Sequence, residues 1–256
     1  MKAIKYLKNL IEKNGNLLKI YKKIKFIKEI PLKDFLNPRK LNLFRKIYPY
    51  TMVDSKRLSN IYDLAELIEK NKLKGAFLEC GVWKGGCAAI MGFVAKRAKS
   101  NRKIWLFDSF KGLPEPTAKD GKIARDYAQN RAEGKLETIN KCVGPLDDVK
   151  KIFFNILKIN PDNVVIKKGW FQDVLPEARS EIGPISILRL DGDWYESTKC
   201  CLVNLYDNVI RGGYIVVDDY GHWSGCKKAV DDFLAERKIK TSLIKIDYAG
   251  VYFKKP

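Results

Sequence analysis

Long apolar runs are missing from this 256-residue chain. No stretch approaches the ~18 residues that a membrane-crossing helix needs. A single histidine, His222, and six cysteines without a CxxC pair leave little from which to build a Cys/His zinc site. Cys200 and Cys201 are adjacent, which strains a bridge between them, so reduced thiols in a cytoplasmic protein are expected. The opening MKAIKYLKNL breaks its apolar residues with lysines and offers no secretory core. Internal repeats are absent, and so is GxGxxG, the dinucleotide-binding fingerprint. Disorder over most of the length is excluded, because 46% of residues are hydrophobic and 31% charged, enough for a full core.

Acidic residues are scarce beside basic ones, 30 against 49, for a formal charge of +19. Residues 1–50 hold 14 Lys and Arg against 3 Asp and Glu, so more than half the excess lies in the first fifth of the chain. Ile4, Leu7, Leu10 and Ile11 repeat at helical spacing, Asn14 and Gly15 interrupt, and Leu17, Leu18, Tyr21 and Ile24 resume. Two short basic amphipathic helices ending before Pro31 are expected. Such a stripe most often packs on a core or a second subunit. Its other use is peripheral contact of residues 1–30 with an anionic membrane surface or an acidic partner. Nucleic acid is not expected, since charge alone is a sequence-independent signal and no binding motif accompanies it.

Residues 55–74 carry Leu58, Ile61, Leu64, Ala65 and Ile68 on one helical face. Beyond Gly75, strand-like runs at 75–80, 103–108, 163–167, 185–190 and 213–218 alternate with helical patterns near 85–99, 145–159, 172–181, 196–209 and 224–237. Runs such as IWLF and YIVV are apolar on both faces, as in buried parallel strands. The alternation predicts an α/β fold with a doubly wound, mostly parallel seven-stranded sheet. Strands at 242–247 and 250–254 close it as a hairpin through Ala249 and Gly250. Residues 111–143, rich in Gly, Pro and charge, read as a lid-like excursion.

Ligands of such sheets bind at the carboxyl ends of the strands. FLECGVWKGG at 77–86 places Glu79, then Gly81, then Gly85 and Gly86 entering a helix. Glycines there admit a tight turn and a close ligand. A glutamate in the crevice would repel a pyrophosphate but accept from an ammonium group or a ribose hydroxyl. Asp108 ends the next strand, where a carboxylate can hold a ribose. Trp170 and Phe171, at the third strand end, could flank an adenine or could be core. LRLDGDWYEST at 188–198 and VVDDYG at 216–221 bring Asp191, Asp193, Asp218 and Asp219 toward one edge. Four such carboxylates repel unless a cation joins them, and an oxygen-only set suits Mg²⁺, Mn²⁺ or Ca²⁺. Helix capping accounts for one or two of the acids, not for the set. His222 is read as non-catalytic, because the carboxylates already supply ligands and a base.

Taken in order, FLECGVWKGG, FDSFKGLPEP, KKGWFQDVLP, LRLDGDWYEST and VVDDYGHWSGCKKAVDDF, preceded by YTMVDSKRLSN at 50–60, resemble the macrocin O-methyltransferase (TylF/MycF/NovP-like) family over about residues 48–254. The resemblance implies a Rossmann-like class I fold using S-adenosyl-L-methionine, and Mg²⁺-dependent methylation of a sugar hydroxyl. It implies Asp191, Asp218 and Asp219 as metal ligands, with Asp191 and Asp193 catalytic and Asp193 the general base. It implies Glu79 and Gly81 in the loop beside the methionine moiety, Asp108 and Ser109 on the ribose, and Thr51 and Met52 in a segment closing over the cofactor. The domain would span 48–256, behind a basic helical extension of residues 1–47. The acceptor would be a sugar-containing small molecule or a glycan precursor, met in the cytoplasm or at the inner membrane face. Association into homo-oligomers is also implied. Two alternatives stand beside this reading, an NAD-dependent oxidoreductase and a non-catalytic membrane- or glycan-binding module.

Overall fold

The computed structural model describes residues 15–256, so the helix expected over Ile4–Ile11 lies outside the described residues. Helix α1 (Gly15–Lys28) leads through a 3-10 turn, Leu32–Leu36, to α2 (Pro38–Ile47) and α3 (Ser55–Lys70). There follow β1 (Ala76–Cys80), α4 (Gly86–Arg97), β2 (Ile104–Asp108), α5 (Gly121–Tyr127) and α6 (Leu146–Lys150). Then come β3 (Val164–Lys168), α7 (Phe171–Ile182), β4 (Ile185–Leu190), α8 (Tyr195–Leu205), β5 (Val209–Val217) and α9 (Ser224–Glu236). The strands β6 (Ile244–Lys245) and β7 (Val251–Lys254) close the chain.

The seven strands run in the order β3-β2-β1-β4-β5-β7-β6. The first five are mutually parallel, and β7 pairs antiparallel with both β5 and β6. Chain direction across the sheet reverses between β1 and β4, the switch point where a crevice opens at the carboxyl ends. Period-2 alternation sorts the core. Leu78, Cys80, Phe107, Leu188, Leu190 and Val217 face one layer. Phe77, Leu106, Ile187 and Val216 face the other. The helices α7, α8 and α9 cover the first face, and α3 and α4 the second.

Three expected elements differ in extent. The helix expected over 145–159 is α6 followed by a wider π-type turn, Lys151–Ile156. The helix 196–209 ends at Leu205 and gives way to a 3-10 turn, Tyr206–Asn208, because β5 begins at Val209. The strand 242–247 shrinks to Ile244–Lys245, since Asp247 Oδ1 accepts from the backbone N–H groups of Ala249 and Gly250 and folds the rest into a turn.

The buried surface runs on across residue 47. Leu43, Phe44 and Ile47 share a cluster with Leu58, Ile61 and Tyr62. Lys40, almost fully buried, donates to Asp34 at 2.8 Å, Ser59 at 2.9 Å and Asp63 at 2.6 Å, fixing the 3-10 turn and α2 to α3. None of the described helices is long and apolar enough to cross a membrane.

Candidate active site

A cavity of about 360 Å³ opens at the carboxyl ends of β1, β2, β4 and β5. Gly81 sits at the switch point with φ +85°, and a Cβ there would lie 1.8 Å from the carbonyl oxygen of Asp191. Only glycine lets the β1 and β4 ends approach so closely. Gly85 precedes α4 in the left-handed region, so the chain turns straight from β1 into the helix.

Asp108 lines the cavity at the end of β2. Its Oδ2 accepts from the backbone N–H of Val82 at 2.8 Å and of Trp83 at 2.9 Å, and its Oδ1 from Phe110 at 2.7 Å. The carboxylate thus ties the β2 end to the β1–α4 loop. A bidentate grip on a ribose has to share oxygens already in use. Burial pushes its pKa up, while the three N–H groups oppose the rise. Ser109, Trp170 and Phe171 line the same cavity, as does Met52. Thr51 and Glu79 lie instead on an adjoining recess of about 30 Å³, which Met52 and Arg189 also border.

Glu79 differs from the expectation of a carboxylate free in the crevice. It stands opposite Arg189 in the parallel register of β1 and β4, fully enclosed, and the two form an ion pair. Its second oxygen has no hydrogen-bond partner among the described residues. Burial drives its pKa up to about 8 even against the arginine.

The four aspartates converge, but not as the expected ligand trio. Asp191, Asp193 and Asp219 each offer an oxygen within 4.8 Å of the others. Asp218 is taken up by two guanidiniums, with Oδ1 on Arg189 and Oδ2 on Arg57. The cause is strand alternation: Glu79, Arg189 and Asp218 share one face of the sheet. Asp193 adopts φ +54°, a left-handed conformation that aspartate tolerates, and accepts from Trp223 Nε1 at 2.8 Å. Loss of water and the neighbouring Asp191 push its pKa up to about 8. Asp219 rises well above the carboxylate range for the same reasons, burial first. Its Oδ2 is buried with no partner among the described residues.

Two residues missed in the sequence hold this network. Arg57 bridges Asp218 and Asp247, the latter at 2.9 Å. Arg189 binds Glu79, Asp191 and Asp218. Arg189 did leave a trace in the sequence, a lone charge inside the apolar run ISILRL. Counting Asp193 and Asp219, six carboxylates meet two guanidiniums. The crevice therefore retains a negative excess that favours cations.

The excursion 111–143 is docked rather than loose. Asp120 Oδ1 accepts from Tyr195 N–H at 2.6 Å, capping α8, and its Oδ2 accepts from Thr117 N–H at 2.7 Å. A Cβ on Gly225 would fall 1.8 Å from Asp120 Oδ1, so the start of α9 also needs glycine for this seat. The segment brings Leu113, Pro114, Tyr127 and Cys142 to the cavity, and His222, Trp223 and Tyr248 line it from the β5 and β7 side.

A doubly wound sheet ending in an antiparallel β7, with glycine and acid at β1 and β2 and aspartates at β4 and β5, is the class I methyltransferase fold. The sequence profile described as Macrocin-O-methyltransferase (TylF) matches residues 32–255, and the chain belongs to that family of O-methyltransferases. It is 37% identical over 207 residues to demethyldecarbamoylnovobiocin O-methyltransferase of Streptomyces niveus, covering 80% of this chain and 76% of the relative. It is 31% identical over 209 residues to mycinamicin III 3''-O-methyltransferase of Micromonospora griseorubida, covering 80% and 78%. The solved structure of the O-methyltransferase NovP superposes with a TM-score of 0.70 at 36% identity, covering 80% of this chain and 82% of that one. The oxidoreductase and non-catalytic alternatives give way to this membership.

Proposed function

We propose that the protein transfers the methyl group of S-adenosyl-L-methionine to a hydroxyl of a sugar-containing acceptor with the help of Mg²⁺. The observation that carries the reading is the meeting of Asp191, Asp193 and Asp219 oxygens within 4.8 Å beside the glycine-lined β1 end. A further relative, 33% identical over 219 residues, is named for 4'-O-methylation of a tetracenomycin bearing a 2,3-dimethoxy-alpha-L-rhamnosyl group, which supports the acceptor class.

The residues fit a divalent cation. The acids are crowded, only oxygens are offered, and a buried Asp219 oxygen lacks a partner. We assign Asp191 and Asp219 as ligands. Asp218 is the third, since each of its oxygens keeps a lone pair beyond its arginine. Bound there, Mg²⁺ would supply Lewis acidity toward the acceptor hydroxyl. S-adenosylmethionine supplies an electrophilic methyl on a sulfonium, whose positive charge suits the negative crevice. Gly81, on the cavity lining, would border the cofactor's amino-acid end, Thr51 and Met52 would close over it, and Asp108 and Ser109 would meet the ribose. Trp170 and Phe171 flank the base.

Asp193 takes the proton from the attacking hydroxyl. The indole N–H of Trp223 fixes one of its oxygens and leaves the other for the proton. The bound cofactor would supply the methyl group, sulfur keeping the electron pair of its S–CH₃ bond as the acceptor oxygen takes the methyl. Leu113, Pro114 and Tyr127 roof the acceptor side and exclude water. Within this reading, residues 48–256 form the catalytic domain and residues 1–47 precede it, while the family match itself begins at residue 32.

Isotope-labelled S-adenosylmethionine incubated with a panel of nucleotide sugars and simple glycosides, with and without EDTA, tests the proposal. Mg²⁺-dependent label on a sugar oxygen supports it. Label transfer unaffected by EDTA overturns the metal role, and label confined to non-sugar acceptors overturns the acceptor class.

A further inference from the structure

Helix α1 lies ahead of the family match and turns an apolar face away from the body. Phe26 anchors it to the body, its ring meeting Tyr48 edge-on at 4.9 Å. At about 100° per residue, Ile20, Tyr21, Ile24 and Ile27 fall on one arc, far round the helix from Phe26. All four are exposed, Ile20 by 56%. The 3-10 turn that follows adds Leu32 and Leu36, exposed by 87% and 88%, and Phe35. Seven large apolar side chains in 17 residues, left in water by a chain that buries its core well elsewhere, mark an interaction surface.

Charge selects the occupant. Over residues 15–36 the chain carries six lysines against one Glu and one Asp. Lys23 and Lys28 are exposed, Lys23 beside the Ile27 edge of the apolar arc and Lys28 between Ile24 and Tyr21. A second copy seated on this face would bring two lysine rims together and repel. An acidic bilayer surface accepts both features at once, apolar side chains into the acyl boundary and lysines among the headgroups. We propose that α1 and the Leu32–Leu36 turn form a docking surface for anionic phospholipid membranes. The surface adsorbs reversibly and does not span. It places the enzyme at a lipid–water boundary whatever its acceptor.

The test is cosedimentation of the full chain with vesicles of phosphatidylglycerol and phosphatidylcholine, against vesicles of phosphatidylcholine alone. Binding to the mixed vesicles is expected, at least about tenfold weaker on the neutral ones, and weakened by high salt. Ile20→Ser with Ile24→Ser is expected to weaken binding by at least about tenfold. Lys23→Glu with Lys28→Glu should cost about fivefold per lysine or more. These positions are exposed, so the variants fold, and S-adenosylhomocysteine affinity serves as the control. No partitioning into anionic vesicles, or equal binding to neutral ones, overturns the proposal. So does a concentration-dependent dimer that the Ile20/Ile24 variant abolishes, which would show a second copy on this face.

Discussion

Trp223 donates its indole N–H to Asp193 Oδ1 at 2.8 Å, joining the end of the β4 loop to the residue before α9. The indole also meets Trp194 edge-on at 4.8 Å, so its position is fixed by packing as well. The acceptor of this bond is the carboxylate assigned as base. Its orientation therefore depends on a residue 30 positions further along the chain.

Asp193→Asn is expected to lower turnover by roughly a hundredfold or more while leaving cofactor affinity within about threefold. Trp223→Phe keeps the ring packing and removes the donor, so a loss of roughly tenfold in kcat is expected. Steady-state kinetics beside calorimetric binding separate the two quantities. Unchanged turnover in Asp193→Asn would remove Asp193 from the base position.

The ligand set can be read from thermal unfolding, because an ion that binds only the folded state raises Tm. Mg²⁺ is expected to stabilise the native chain, and the increment should vanish in Asp191→Asn, Asp219→Asn and Asp218→Asn. If Asp218→Asn keeps the increment and Asp193→Asn loses it, the third ligand is Asp193, as the grouping within 4.8 Å would have it.

Arg189 neutralises buried acids on three sides. Arg189→Met should destabilise by about 3 kcal/mol or more, since Glu79 is left enclosed and unpaired. The double variant Arg189→Met/Glu79→Gln should recover part of that loss, a coupling that urea unfolding can measure. Strict additivity would mean that the two do not depend on one another.

Asp120→Ala removes the acceptor for Tyr195 N–H and Thr117 N–H. A cost of about 1–2 kcal/mol is expected, concentrated in residues 111–143. Hydrogen exchange should quicken there and not in β1 or β4, and KM for the acceptor should rise more than kcat falls. Uniform weakening across the sheet would contradict the account of Asp120 as the seat of this segment.

Much of the fold was legible in the sequence. Runs such as AFLEC and ISILRL carry strand patterning, and Gly81, Asp108 and Asp191 follow or end strands where such sheets bind ligands. Glycine at 81 signalled a tight turn and a close ligand, whereas the close approach there is to the carbonyl of Asp191. The pairing of Glu79 with Arg189 was not legible, because it depends on which strands become neighbours and in what register, across 110 residues of chain. Arg57 was hidden for the same reason: its partners Asp218 and Asp247 lie 161 and 190 positions away. Segment 111–143 read as a lid by composition, but its anchoring at Asp120 rests on two distant helix starts. The early end of the helix at Leu205 reflects tertiary pairing of Val209 with Ile185, which local propensity does not carry.

The central claim is that the crevice between β1, β2 and β4 holds S-adenosylmethionine. Calorimetric titration of the full chain with S-adenosylhomocysteine tests it most directly, with NAD as the control. The account predicts saturable one-to-one binding of S-adenosylhomocysteine and no heat from NAD. A folded protein that binds neither, or that binds NAD instead, would contradict it.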